Sequence, residues 1–423
     1  MIKKEKNFSI LRFLLSCLMK NLLPYCALLF VLSCSPTKLR FERPVNTTSR
    51  PISIQDKKQF AYPESDVVFS NDFDGARLNG VIEENDSTYR LRITPENILI
   101  NNSAYYAFKI KSTKAQNLYL QFDYPPPYTH RYVPKINRGN GWTIAAGEFI
   151  DNIDGRTQLK LTKVSGTVLV SAQELQNSGH VAQWAEAQQA KNSMIDFKSI
   201  GESTLGRPIW VMDIQQGNAK GKPVIVFFTR QHPPEVTGYL AFKAFMEELL
   251  SKTDLSDDFF DQYHILAFPL VNPDGVDLGH WRHNAGGVDT NRDWSKYRQP
   301  ETRAIVKYIE KTLRKEKANL VLGLDFHSTW YDVFYTNKER QSTPFPNFLD
   351  QWFSALEARI PNYKVNEKAS NSTQPVSKGW LLYGHNAVGV TYEIGDETPR
   401  DSIQLIGQTS AKALMEILVE EKQ

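Results

Sequence analysis

His232 and Glu235 stand three residues apart in the segment RQHPPEVTG, residues 230–238, directly after the apolar run KPVIVFFT. If a strand ends there and a helix begins, an imidazole nitrogen and a carboxylate oxygen can turn toward one point, and zinc accepts such a mixed donor set. Pro233 and Pro234 suit the first turn of that helix, which has no use for the backbone donor that proline lacks. Taken alone, the His-x-x-Glu pair is a common accident, and a single histidine more often serves packing than metal.

Further along, the apolar strand LVLGLDFHSTW, residues 320–330, terminates in His327. A histidine just past a buried strand at the same sheet edge would supply a third ligand and leave the fourth zinc position to water, the catalytic rather than the structural arrangement. In AVGVTYEIGDE, residues 387–397, Glu393 interrupts an otherwise apolar strand. A buried carboxylate is costly unless it is paired or working. Beside a metal it could take a proton from bound water and pass it to a leaving amine; the alternative is a salt bridge to Arg282 or Arg292. Both arginines lie in NPDGVDLGHWRHNAGGVDTNRDW, residues 272–294, a stretch dense in turn formers. Guanidinium suits forked binding of a carboxylate, and Asn291 can add a donor beside Arg292. An arginine near a metal could also stabilise a developing oxyanion by about 3 kcal/mol, although loop arginines are commonly just solvated.

These segments need a sheet to bring them together. From about residue 190, strands alternate with amphipathic helices, the pattern of a layered α/β domain. RPIWVMDI, KPVIVFFT, YHILAFPLV, NLVLGLDF and AVGVTYEI are apolar runs suited to buried strands. Glu235 to Leu250, Glu301 to Lys315 and Ser402 to Glu420 carry apolar residues at helical spacing. The candidate chemistry falls where strands end, the place at which open α/β sheets bind ligands. Residues 65–185 instead show short alternating or β-branched stretches (TYRLRIT, AYYAFKIK, NLYLQFDY, GTVLVSA) between Asn, Gly, Asp and Pro clusters, which predicts an all-β sandwich. Residues 34–64 mix Pro, Ser, Thr and charges without an apolar period and read as a tether.

At 423 residues the chain exceeds one ordinary core, and 41% apolar with 23% charged residues argues against a disordered or multi-span membrane protein. Of the net charge of +3, residues 1–33 hold +4, since Lys3, Lys4, Lys6, Arg12 and Lys20 oppose only Glu5. The rest therefore carries −1, and no basic field is left to attract nucleic acid. Cys17, Cys26 and Cys34 are the three cysteines, so no disulfide is expected in the body. Cations ahead of LLPYCALLFVLS, too short to span a bilayer comfortably, predict a cleaved signal over residues 1–33; an uncleaved helix is the other reading, and Met19 would make a tidier start. Val31-Leu32-Ser33-Cys34 resembles the bacterial lipobox, which implies a lipid anchor on Cys34 and a place in the bacterial cell envelope, at the periplasmic or outer-membrane face.

The ordered set HPPE, NPDG, WRHN, GVDTNRDW, LDFHS and TYEIG resembles the zinc carboxypeptidase family, whose best-known member is carboxypeptidase A, over about residues 190–423. The resemblance implies an α/β, mixed-sheet metallocarboxypeptidase domain acting on peptides with a free C-terminal carboxylate. By it, His232, Glu235 and His327 match the ligands of one zinc ion, Arg282 the oxyanion-stabilising arginine, Asn291 with Arg292 the carboxylate clamp, and Glu393 the general base. FSNDFDGARLNGV and AYYAFKIK look like the N-terminal β-sandwich of the cytosolic carboxypeptidase branch, which includes deglutamylases. The signal departs from that branch, so its tubulin-type substrates are not carried over. Pro233-Pro234 departs from carboxypeptidase A, which has an arginine in this motif. The family's loop tyrosine has no counterpart in Lys364 to Lys378, leaving Tyr383 as a candidate for its place and His385 or His283 as candidates for polar lining. Two other functions fit the same residues: a zinc amidase or deacylase acting on cell-wall peptides or N-acyl amino acids, and a lipid-anchored binding protein whose catalytic domain has decayed.

Overall fold

The computed structural model describes residues 38–421. The expected signal and the Cys34 anchor lie outside the described residues. From Lys38 on, the chain forms one compact unit built on two sheets. The first holds β1 (Gln59–Tyr62), β2 (Val67–Ser70), β3 (Gly80–Asn85), β4 (Thr88–Arg92), β5 (Ala107–Asp123), β6 (Lys135–Asn137), β7 (Trp142–Ile144), β8 (Ile150–Ile153) and β9 (Arg156–Ser171). Its spine is the long antiparallel pair of β5 and β9. AYYAFKIK and NLYLQFDY, separate in the sequence reading, fall mostly on the single strand β5. Phe108 and Ile110, then Leu118, Leu120 and Phe122, keep a period of two into the core. The polar residues between them coincide with shifts of register between Ser112 and Leu118, a bulged interruption rather than a turn.

The second sheet holds β10 (Ile195–Glu202), β11 (Pro208–Ile214), β12 (Val224–Thr229), β13 (His264–Phe268), β14 (Leu320–Thr329), β15 (Val333–Thr336), β16 (Glu367–Ala369) and β17 (Val388–Gly395). Their order is β10-β11-β13-β12-β14-β17-β15-β16. The central four, β13, β12, β14 and β17, are mutually parallel, whereas β11 and β15 join them antiparallel. Parallel strands covered on both faces need apolar residues at every position, and VIVFFT and HILAF are buried throughout. Ile225 and Phe227 face a core shared with the helices Val236–Leu249 and Arg400–Glu420. Val224, Val226 and Phe228 face the opposite layer, formed by the helices Pro300–Glu316 and Ser377–His385.

Four local expectations change. The helix after HPPE starts at Val236 with Glu235 as its N-cap, so Pro233 and Pro234 lie in the preceding turn, closed by Val236 N–H to the Pro234 carbonyl at 2.8 Å. His327 lies inside β14, not past its end. A helix at Ser178–Lys191, with too weak an apolar period to announce itself, packs Val181 and Ala185 into the core of the second sheet. The segment read as a tether is docked over its described part. Arg43 and Arg50 donate backbone N–H groups to the carbonyls of Thr373 and Gly286 at 2.7 and 2.8 Å, and Gln55 reaches the Ala76 carbonyl at 2.5 Å. Main-chain bonds of this kind leave no apolar period to read. Among the described residues no helix is long and apolar enough to cross a membrane.

Glu301, in the first turn of its helix, is fully buried; one oxygen accepts from Asn284 at 2.9 Å and the other has no partner. Burial pushes its carboxyl up to about 7. The folded state therefore holds its proton above the unfolded value, and stability falls as pH rises from about 4.5 to 7, levelling off beyond, by about 3 kcal/mol. Glu301→Gln should remove that loss: near-neutral in denaturant melts at pH 5, more stable than the unmodified protein by roughly 1–3 kcal/mol at pH 8. A pH-independent difference would contradict the assignment.

Candidate metal centre and cleft

Two approaches bring His232, Glu235 and His327 together. β12 ends in a turn where Arg230 adopts a left-handed backbone, φ 57°, at a cost of about 1–2 kcal/mol. Its guanidinium donates to the Pro233 carbonyl at 2.8 Å and stands 5.6 Å from the Tyr239 ring centroid, so the side chain fastens the same turn. The helix that follows is sewn to β14: the Ser328 hydroxyl accepts from Thr237 Oγ1 and from Gly238 N–H, both at 2.8 Å. At Gly238 a Cβ would lie 2.3 Å from the His327 carbonyl oxygen, so only glycine permits this approach.

The result is a convergent donor set. His232 Nδ1 lies 2.8 Å from Glu235 Oε1, and His327 Nδ1 lies 2.6 Å from Glu235 Oε2. One ligand atom from each of the three residues falls within 4.8 Å of the others, and all three side chains are buried. Each imidazole is held from behind through Nε2: His232 by Asp289 and His327 by Asp325, both at 2.9 Å. A carboxylate on Nε2 fixes the proton there and leaves the Nδ1 lone pair free for a metal. Lone pairs aimed at a carboxylate repel unless a cation or protons intervene, so the donor chemistry fits a zinc site with three protein ligands. Without a metal, burial opposes charge on His327, yet Asp325 and Glu235 outweigh it and push its pKa well up. Glu235 is held below the usual carboxylate range, because the two histidines overcome its burial.

The triad opens on a cleft of about 620 Å³ that is also lined by Arg282, Asn291, Arg292 and Glu393. All seven residues singled out in the sequence thus line one cleft. Arg282 Nε donates to Asp289 Oδ2 at 2.8 Å, and Arg292 NH1 lies 3.8 Å from the same oxygen, so Asp289 ties both arginines to His232. Asn291 spans two neighbours: Nδ2 is 3.4 Å from His327 Nε2, and Oδ1 accepts from Ser377 N–H at 3.0 Å. Glu393 pairs in register with His327 across β17 and β14. Neither arginine forms an ion pair with it, which removes the salt-bridge alternative. One of its oxygens is buried without a partner, although the residue opens on the cleft. Burial raises its pKa to about 7.

The site also draws on groups that the sequence did not single out. Asp289 and Asp325 are the supports just described; Asp325 stands two residues before His327 on a strand and so shares its face, a signal available in LDFHS. Tyr335 lines the cleft, while Tyr383, His385 and His283 do not. Tyr383 sets its ring edge on Phe41 at 5.6 Å, His385 packs on Trp380 at 4.5 Å, and His283 bonds Asn97 Oδ1 at 2.7 Å. Lys378 also lines the cleft, almost wholly buried, with Nζ donating to the carbonyls of Thr336 and Ser370 at 2.8 and 2.5 Å. Asn101, Asn102, Ser103 and Arg131 reach the cleft from the first sheet's side of the chain.

The chain belongs to the zinc carboxypeptidase family, Peptidase M14, which matches residues 181–412, more than half its length. Among curated relatives, carboxypeptidase SOL1 of Arabidopsis thaliana is 30% identical over 126 residues, 26% of each chain. Cytosolic carboxypeptidase 6 of Caenorhabditis elegans is 29% identical over 121 residues, 28% of this chain and 26% of its own. The chain spans only about a quarter of the length of these relatives. The fold is similar to that of a metallo-carboxypeptidase from Burkholderia cenocepacia, TM-score 0.71 at 15% identity, covering 84% of this chain and 99% of that one. A Pseudomonas aeruginosa metallo-carboxypeptidase, crystallised with (2-guanidinoethylmercapto)succinic acid, has a TM-score of 0.66 at 18% identity, covering 84% and 100%. Both likenesses extend over the first sheet as well as the second.

The close approach at Gly238 yields a direct test. Gly238→Ala should cost roughly 1–3 kcal/mol through overpacking and weaken zinc retention, because the helix carrying Glu235 must back away from β14. Thermal melts and dialysis against a chelator report the two effects, and an alanine variant unchanged in both would show that the helix is not pinned there.

Proposed function

We propose that this chain is a carboxypeptidase that removes the last residue of peptides and prefers an acidic side chain at that position. The observation carrying the first part is that Glu393 lines the same cleft as the His232–Glu235–His327 triad, with no arginine or lysine among the described residues paired to its carboxylate. Zinc, when held by that triad, supplies a Lewis acid and lowers the pKa of water toward about 7. Glu393 takes the proton of the attacking water and delivers it to the leaving amine. Arg282, braced by Asp289, donates to the oxyanion as the carbonyl becomes tetrahedral. Asn291 and Arg292 hold the terminal carboxylate, so that only the last peptide bond meets the base. Arg292 is suited to this because its guanidinium is partly exposed and only distantly paired.

Activity should appear on peptides with a free C-terminus and not on their amidated forms or on N-acyl amino acids. Glu393→Gln should lower kcat by about 10²–10⁴-fold, the usual contribution of a general base, with one zinc retained per chain. Equal cleavage of amidated and free peptides, or preferential hydrolysis of the acyl amino acids, would replace this reading with the amidase one.

The acidic preference rests on Lys378. Its side chain is buried at the cleft wall, where Nζ meets the carbonyls of Thr336 and Ser370, with no carboxylate in ion-pair range among the described residues. Burial pulls its pKa down to about 8, the mark of an ammonium that lacks a counter-ion. A glutamate or aspartate side chain entering this wall would supply one. Truncating one partner of a buried charge pair costs at least about 2 kcal/mol, roughly 30-fold. Lys378→Met should therefore lower kcat/KM for a C-terminal Glu peptide by at least that factor relative to its Leu counterpart. An unchanged Glu-to-Leu ratio would sink the preference while leaving the peptidase reading intact.

A further inference from the structure

Arg282 reaches the cleft from a piece of backbone that is held by the first sheet's side of the chain. Trp281, beside it, is wholly buried in the core of that sheet, where its indole N–H donates to the Tyr105 carbonyl at 3.0 Å and its ring meets Tyr128 edge-on at 5.1 Å. Gly279 turns the chain inward with φ 64°, and a Cβ there would lie 2.3 Å from the Ala76 carbonyl oxygen. Glu96, fully buried, then accepts three successive backbone N–H groups: Trp281 at 2.8 Å, Arg282 at 3.0 Å and His283 at 2.6 Å. Successive amides turned on one anion form a nest, and each such bond is charge-assisted. Burial alone would neutralise Glu96, but His280, Arg77 and the His283 amide outweigh it and keep its pKa low. Asn97 extends the clamp, receiving His283 Nδ1 at 2.7 Å and donating to the Gly287 carbonyl at 3.2 Å.

We propose that Glu96 is a positioning residue for catalysis: by binding the amides of residues 281–283 it sets where the Arg282 guanidinium meets the reacting carbonyl. It touches neither substrate nor metal and acts through Arg282 alone. An amide in its place turns one acceptor oxygen into a donor that faces at least the Trp281 N–H, so the loop must shift. Displacement of a catalytic group by about 1 Å can cost on the order of 10²-fold in rate.

This inference rests on the carboxypeptidase reading, and the experiment separates the two. On the full chain, kcat, KM and zinc content are measured for the unmodified protein, Glu96→Gln, Arg282→Ala and the double variant, with a C-terminal glutamate peptide. Glu96→Gln should lower kcat by roughly 30-fold and move KM by less than about threefold, with zinc content unchanged. Added to Arg282→Ala it should cost less than about threefold more, since the group through which it acts is gone. The same loss in both backgrounds, or no loss in either, overturns the proposal. Should the glutamine variant fail to fold, Glu96→Asp keeps the charge, withdraws it by one methylene and runs through the same cycle. An unmodified protein that releases no residue from any peptide ends the carboxypeptidase reading instead; an active one with independent effects ends only this inference.

Discussion

Two imidazole nitrogens and a carboxylate aimed at one point repel one another until positive charge sits between them, and the charge inventory of the cleft is arranged around that demand. Glu235, Asp289, Asp325 and Glu393 bring four carboxylates to the site, while Arg282 and Arg292 return two positive charges. Lys378 and Arg131 add positive charge elsewhere in the cleft, so the negative excess is local to the triad and its supports, where a divalent ion would sit. Burying that many carboxylates without such an ion would cost several kcal/mol per group. The fold's tolerance of them is therefore an argument about the metal as much as about the histidines. The same account explains the division of labour among the acids. Asp289 and Asp325 are spent on Nε2 protons and arginines, Glu235 faces the Nδ1 atoms, and Asp325 and Glu393 each keep one oxygen without a partner, Glu393 alone of the two lining the cleft.

Geometry of this kind requires backbone that cannot drift. Parallel pairing of β14 with β17 places residues 327 and 393 side by side, and strand spacing sets their separation at about 4.8 Å between backbones. β12 reaches the same edge in register with β14, so His232 enters from the adjoining strand's end. The strained Arg230 and the crowding at Gly238 are then costs of bringing a helix N-terminus against a strand that is already fixed. They fall in the nine residues that the HPPE segment spans.

How much of this could be read beforehand depends on whether a residue's role contradicts its surroundings. Glu393 was legible because a polar group inside an apolar strand needs a reason, and His327 because a histidine at the close of an apolar run falls on a sheet edge, although β14 runs on past it. The parallel strands were legible because burial on both faces leaves continuous apolar runs. Asp289 was not, since an aspartate in a glycine-rich stretch looks like any turn former. Lys378 stands in the first turn of a helix, where a lysine is ordinarily solvated, and only tertiary packing buries it. The docking of residues 39–55 was hidden for a different reason: it relies on main-chain and amide bonds, which carry no periodicity. The two halves of β5 were separated because a bulge and a turn draw on the same polar residues.

The first sheet's side of the chain is best understood through the character of its contacts with the second. Arg131 pairs with Asp396 at 2.8 Å, Lys135 with Glu397 at 2.7 Å, and Arg400 with Glu174 at 2.6 Å, and most of these side chains are shielded from water. Partly buried ion pairs contribute little net stability, because desolvation consumes most of the attraction, but they penalise misalignment heavily. Asp396 and Glu397 follow β17 directly, so the strand that carries Glu393 is anchored to Arg131 and Lys135 only three and four residues beyond it. On the other flank Glu96 grips the loop that carries Arg282. Glu393 and Arg282, the proposed base and oxyanion donor, lie far apart in the sequence yet are thus referenced to the same neighbouring structure, and that shared reference is what can keep the distance between them constant.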